Sequence, residues 1–306
     1  MQKISALSTL VCALSVFSVL GSASAETSLA SAAEQPAATL LERHQALAGQ
    51  LSNNAYGRPL YLESVESAST VTGNAYAVLN APFSTVSATF KSPNQWCDVM
   101  ILHINTKYCR VVPSSNPVTL KVYVGKKTPQ TLQEAFPLAF AMRQVSASPN
   151  LLVVQLNAEN GPMGTSNYRI ELQAVPLDGN KTFMNLRYSY DYGMTGRMAM
   201  QAYLATAGRG KVGFSTKAPA SATAKASYVG GARGAVERNT MRYYLAIDAY
   251  LQALPLPAAT QVNARLDKWF DATEQYPVQL NETDKSSYLA MKKSDIQRQY
   301  ASAPSP

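Results

Sequence analysis

The chain has 306 residues, 46% of them hydrophobic, and a formal charge of +8. A chain of this length buries roughly 70–75% of its unfolded surface and can build a core without metals or many staples. Its basic residues are scattered except around Arg233–Arg242, whereas a nucleic-acid-binding protein shows a basic stripe or run. This excludes nucleic acid as the expected partner and suits transient contact with an anionic membrane or envelope polymer.

Residues 1–25 read as a secretory leader: Lys3 forms the n-region, Ile4 to Leu20 the apolar segment and Ala23-Ser24-Ala25 the cleavage site. Cys12 lies inside the apolar segment, so it leaves with the leader and cannot anchor a lipid. No later stretch reaches the ~20 apolar residues of a membrane span. The expected mature protein is soluble and exported to the periplasm or beyond. Two cysteines then remain, Cys97 and Cys109, and in an oxidising compartment the even pair is expected to form a disulfide. The alternative, a C-x5-H-x5-C metal site through His103, lacks a fourth ligand and has no zinc-finger spacing. No metal and no cofactor are expected.

Residues 26–38 are Ala/Ser-rich and read as a flexible lead-in. Thr39-x-x-Glu42 is a capping box that predicts a helix carrying Leu40, Leu41, Leu47 and Leu51. His44 falls on that stripe and reads as a packing histidine. Tyr61–Glu66 and Thr70–Leu79 then predict an antiparallel strand pair. Pro82 opens a short helix with Phe83, Val86 and Phe90 on one face, and Pro93 closes it. Trp96 is placed on the loop that follows.

Further strands are predicted over Thr119–Val124, Leu151–Leu156 and Tyr168–Val175. The Asp178-Gly179 turn joins the last of these to Thr182–Tyr192. Strict alternation puts Met184, Leu186, Tyr188, Tyr190 and Tyr192 on one face of that strand. Thr195–Thr206 reads as a helix. Gly208-x-Gly210-x-x-Gly213 has dinucleotide-loop spacing but neither the preceding strand nor the following helix, so it is set aside.

A long helix is predicted over Ala232–Leu254, with Val236, Thr240, Tyr243, Ile247, Tyr250, Leu251 and Leu254 in one stripe. Arg238 and Arg242 could be read as a phosphate clamp, but they project to the opposite side, away from the domain's interior, which reads as a solvated or tail-capped face. The domain is expected over 39–257. A helical C-terminal appendage, 258–306, carries helices near Val262–Glu274 and Asp284–Gln299, joined by an extended Gln275–Leu280.

The stretches Thr72-Gly73-Asn74-Ala75-Tyr76-Ala77-Val78-Leu79, Ala81-Pro82-Phe83-x-x-Val86 and Pro93-x-x-Trp96 resemble the strand, helix entry and tryptophan turn of the START-like, helix-grip (SRPBCC) superfamily of lipid-transfer and cyclase proteins. The helix Ala232–Leu254 resembles its terminal grip helix, so the resemblance covers about residues 59–254. It implies an α+β fold in which a curved antiparallel sheet wraps a long C-terminal helix, with a ligand held between them. Trp96, Tyr188, Tyr190, Tyr192, Thr240, Tyr243 and Ile247 are the expected ligand-binding residues. Tyrosine rings with hydroxyl handles suit a lipid or other apolar small molecule, and they equally suit a filled core.

No catalytic residue is assigned. The only histidines are His44 and His103, and no G-x-S-x-G or H-E-x-x-H motif is present. Asp98 with His103 could form a dyad but has no nucleophile beside it. The expected function is binding or transfer of an apolar ligand. The alternatives are a non-catalytic envelope-assembly role and, behind it, a pocket-shaping cyclase-type enzyme.

Overall fold

The computed structural model describes residues 36–112, 115–206, 208–217 and 227–301. The leader, residues 1–25, and most of the lead-in lie outside them. Helix α1 (36–46) begins three residues before Thr39, so the capping box lies within a helix rather than opening one. After α2 (Ala48–Ser52), strands β1 (Leu60–Glu66) and β2 (Thr70–Leu79) pair antiparallel. Helices α3 (Phe83–Phe90) and α4 (Pro93–Met100) lead to β3 (Thr106–Val112), β4 (Thr119–Val124), β5 (Phe136–Ala147), β6 (Leu152–Asn160), β7 (Thr165–Leu177) and β8 (Lys181–Tyr192). These eight strands form one antiparallel sheet in the order β1-β2-β8-β7-β6-β5-β4-β3, with two free edges rather than a closed barrel.

Helix α5 (Met194–Ala205) and a small ribbon, β9 (Thr216–Lys217) with β10 (Ser227–Tyr228), precede the long helix α6 (Gly231–Ala253). Then come α7 (Ala258–Glu274), α8 (Pro277–Leu280) and α9 (Lys285–Ala301). Among the described residues no helix is long and apolar enough to cross a membrane.

The curved sheet grips α6, the arrangement expected of a START-like helix-grip fold. The alternation along β8 is what makes this work. Met184, Leu186, Tyr188, Tyr190 and Tyr192 all face the side on which α6 lies, and they share a core with Val236, Ile247 and Leu251. At Gly73, opposite Tyr188 in the β2–β8 register, a Cβ would lie 2.4 Å from Thr240 Oγ1. The missing side chain is therefore what lets α6 lie on β2. The other face of the sheet, with Tyr76, Val175 and Phe183, is covered by Leu40, Leu47 and Leu51, and His44 packs against Phe183 at 4.8 Å.

Three local expectations are corrected. Pro93 does more than end α3: it occupies the first turn of α4, so Trp96 sits on a helix, not a loop. Strand β5 is absent from the periodicity reading because Pro137 interrupts it and its outward positions carry Ala139 and Ala141. Near a strand end the missing N–H removes little pairing, and Leu138, Phe140 and Met142 still alternate inward. Residues 277–280, expected to be extended, form the short helix α8.

The C-terminal helices are part of the same core. Leu266, Trp269 and Phe270 of α7 and Tyr288, Met291 and Ile296 of α9 join the cluster that holds Trp96 and Cys97. Helix α9 covers edge strand β3. Tyr288 Oη donates to Leu102 O at 2.8 Å, Lys292 Nζ donates to Thr106 O, and Gln299 Oε1 accepts from the Cys109 amide at 3.1 Å. Two backbone groups of β3, Thr106 O and the Cys109 amide, that would otherwise help template a foreign strand are thereby occupied.

Cys97 on α4 and Cys109 on β3 form the expected disulfide. That pairing removes both thiolates of the alternative metal site at His103. Labelling of the denatured, non-reduced protein should find no free thiol at either position. Cys97→Ser with Cys109→Ser should lower stability by about 2–4 kcal/mol through loop-closure entropy. Two reactive thiols in the unreduced protein would contradict the assignment.

Candidate ligand-binding site

Between the inward face of the sheet and α6 lies a cavity of about 710 Å³, within the range of small-molecule sites. Strand β5 supplies an apolar wall of Phe136, Leu138 and Phe140; β7 and β8 supply Tyr168, Tyr188 and Tyr190. Helix α6 contributes Ala235, Arg238, Asn239, Arg242 and Tyr243. His103, from the turn between α4 and β3, and Lys127 and Glu282, from loops, complete the inner wall. Exposed residues mark the mouth: Phe136 at 37%, Met163 at 53%, with Lys126, Thr128 and Glu134.

Tyr188 and Tyr243 approach at 5.5 Å, Tyr168 and Tyr190 stack at 5.2 Å, and His103 lies 4.9 Å from the Tyr243 ring. Burial, reinforced by neighbouring tyrosines, raises Tyr188, Tyr190 and Tyr243 well above the ordinary phenol value. Their hydroxyls therefore stay protonated at any physiological pH and can both donate and accept. Burial, followed by the positive charges of Arg242 and Lys292, holds the His103 imidazole well below its ordinary value, so it is neutral. Its Nδ1 accepts the Asn105 amide at 3.2 Å, which leaves the ring proton on Nε2. Asn239 lies close enough to act on both His103 and Tyr188, yet Nε2 makes no hydrogen bond of ordinary geometry.

Of the expected ligand-binding residues, Tyr188, Tyr190 and Tyr243 line the cavity. The other four lie elsewhere in the core. Trp96 packs on Phe90 and donates from Nε1 to Phe90 O at 2.9 Å. Tyr192 donates to Glu66 Oε1 at 2.8 Å at the end of β8. Thr240 donates to Val236 O at 2.8 Å where α6 crosses Gly73, and Ile247 is wholly enclosed. The Asp98–His103 dyad does not form, because Asp98 is held by Arg265 at 2.9 Å.

The expectation of a solvated face at Arg238 and Arg242 is overturned. Each is only 2% exposed, and both reach the cavity. Helix α6 is enclosed around nearly its whole circumference, by the sheet on one side and α7 on another, with the cavity between β5 and the 281–284 link on a third. A projection that seeks one apolar stripe presumes one buried side, and here the remaining sides are buried as well. The tail-capping half of that reading does hold for Arg242, which meets Glu282 at 2.8 Å. Glu282 also meets Lys127 at 2.5 Å and Lys211 at 3.1 Å. Burial, and then the charge of Arg242, pushes the Lys127 ammonium down to about 8, despite its carboxylate partner.

No family model matches the chain, and no curated protein matches it. Among solved structures, it is similar to norcoclaurine synthase from Thalictrum flavum in complex with dopamine and hydroxybenzaldehyde. That match has 11% identity and a TM-score of 0.33, and covers 49% of this chain and 80% of that one. It is also similar to human StAR-related lipid transfer protein 5, at 10% identity and a TM-score of 0.31, covering 57% of this chain and 90% of that one. A third likeness is to a conserved protein from Geobacillus kaustophilus, with 15% identity and a TM-score of 0.31 over 45% of this chain and 85% of that one. At these values the likenesses carry nothing about a ligand or a reaction, and the function is argued from the cavity itself.

Proposed function

We propose that the protein is an exported binding or transfer protein that takes a lipid or other apolar small molecule into the cavity between sheet and α6. One observation carries this reading: an apolar wall on β5 and the tyrosines of β7, β8 and α6 line about 710 Å³ of space that no described side chain fills. Such a site removes apolar surface from water and fixes orientation with a few hydrogen bonds. Export rests on the leader-like residues 1–25. Exchange at an anionic membrane is supported by the basic balance of the chain and by exposed apolar side chains around the mouth and on neighbouring α5. These are Phe136 and Met163, with Met194 and Met198 at 83% and 66% exposure.

Protein purified from its own envelope should carry an apolar molecule detectable by native mass spectrometry and solvent extraction. Tyr190→Trp, which adds bulk on the cavity wall, should lower that occupancy while leaving stability within about 1 kcal/mol. A ligand-free protein, in which the same change costs about 1–3 kcal/mol by overpacking, would sink the binding reading and favour an envelope-assembly role.

A further inference from the structure

We propose that this cavity selects an anionic amphiphile, with a carboxylate or phosphate head held by Arg238, Arg242 and Lys127 and an apolar tail along Leu138 and Phe140. The proposal rests on the binding reading above and names the ligand class. Its central observation is Arg238. This guanidinium is 2% exposed and donates to Val212 O at 3.1 Å, but meets no carboxylate among the described residues. Buried charges in folded proteins are normally paired or fully hydrogen-bonded. The adjacent Glu237 does not serve, because its oxygens accept from Ser64 Oγ at 2.5 Å, Phe214 N at 2.6 Å and Ser215 N at 2.9 Å.

The rest of the inner wall also carries positive charge in excess. Its carboxylate, Glu282, is shared by three cations, Arg242, Lys127 and Lys211. The other lining carboxylate, Glu134, is exposed at the mouth, where Lys126 offsets it. His103, only 4% exposed, adds a neutral donor at Nε2 that makes no hydrogen bond of ordinary geometry among the described residues, with Asn239 beside it. Two guanidiniums one turn apart on α6, an ammonium and an imidazole N–H thus surround a space that holds one fully committed carboxylate. An oxyanion head would supply the missing counter-charge and accept charge-assisted hydrogen bonds. The β5 wall and the volume exceed what a free inorganic anion needs, so the head is expected to come with a tail.

The test is titration of the mature protein with hexadecanoate, hexadecyl phosphate, hexadecanol and inorganic phosphate. At least one of the two charged amphiphiles should bind about tenfold or more tightly than hexadecanol, and their ranking tells carboxylate from phosphate. Inorganic phosphate alone should bind far more weakly. Arg238→Gln should remove most of the preference for the charged head and leave hexadecanol binding unchanged. If that variant does not fold, Lys127→Gln and the acid-to-alcohol ratio of the unaltered protein still decide. Equal binding of acid, phosphate ester and alcohol would overturn the anionic head and leave the apolar-ligand reading standing. Phosphate binding as tight as hexadecyl phosphate would overturn the amphiphile. Failure of all three hexadecyl compounds to bind would overturn both readings.

Discussion

Glu237→Ala is expected to be among the most damaging single substitutions in the molecule, whereas Glu237→Gln should be mild. Glu237 is wholly buried on α6 and accepts three hydrogen bonds: from Ser64 on β1 and from the backbone amides of Phe214 and Ser215. It therefore ties the helix to the sheet edge and to the segment before β9. Alanine would strand two amide donors, each costing about 1–3 kcal/mol when unsatisfied, and would leave a void. Glutamine keeps an oxygen for the two amides, and its NH2 can donate to Ser64 Oγ, which already accepts from Arg233 Nε at 3.1 Å. Urea unfolding of both variants checks this. Equal losses for Gln and Ala would show that the charge of Glu237, not its acceptor geometry, matters.

The second large effect is expected at Glu282. Arg242 is buried and meets this carboxylate at 2.8 Å, so Glu282→Ala would leave a buried guanidinium without its counter-charge. Breaking a buried pair from one side costs about 3–5 kcal/mol. Lys127 and Lys211 keep more contact with water and can turn outward, so the loss is dominated by Arg242. The pH dependence follows from the same cluster. Burial would raise the Glu282 carboxyl, but Arg242, Lys127 and Lys211 together outweigh it and hold the group below its ordinary value of 4.5. A depressed acid stabilises the fold fully above its unfolded value and loses that contribution as pH falls through the folded value. The stability difference between unaltered protein and Glu282→Ala should therefore be full at pH 7 and shrink below about pH 4.5 as the carboxyl protonates. A difference that stays constant down to pH 2 would contradict the ion-pair account.

Much of the architecture was legible along the chain because its signals are local. Alternation in Thr70–Leu79 and Thr182–Tyr192, the helix entry at Pro82 and the paired cysteines each depend on neighbours within a few residues. Where a local signal was ambiguous the reading failed locally. Pro93 served equally as a stop and as a first-turn residue, and Pro137 hid the first residues of an interior strand. The site is another matter. Tyr188, Tyr190 and Tyr243 stood out by alternation and stripe, but Arg238, Arg242, His103, Lys127 and Glu282 converge from α6 and from three loops well separated in sequence. No periodicity links them. Arg238 and Arg242 lay within the one basic run in the sequence, which was the available signal. A one-stripe projection turned that run outward, because a helix buried on several sides has no solvent face to assign it to. Only the tertiary packing, with the 281–284 link folded back against α6, made those charges the inner wall of a cavity.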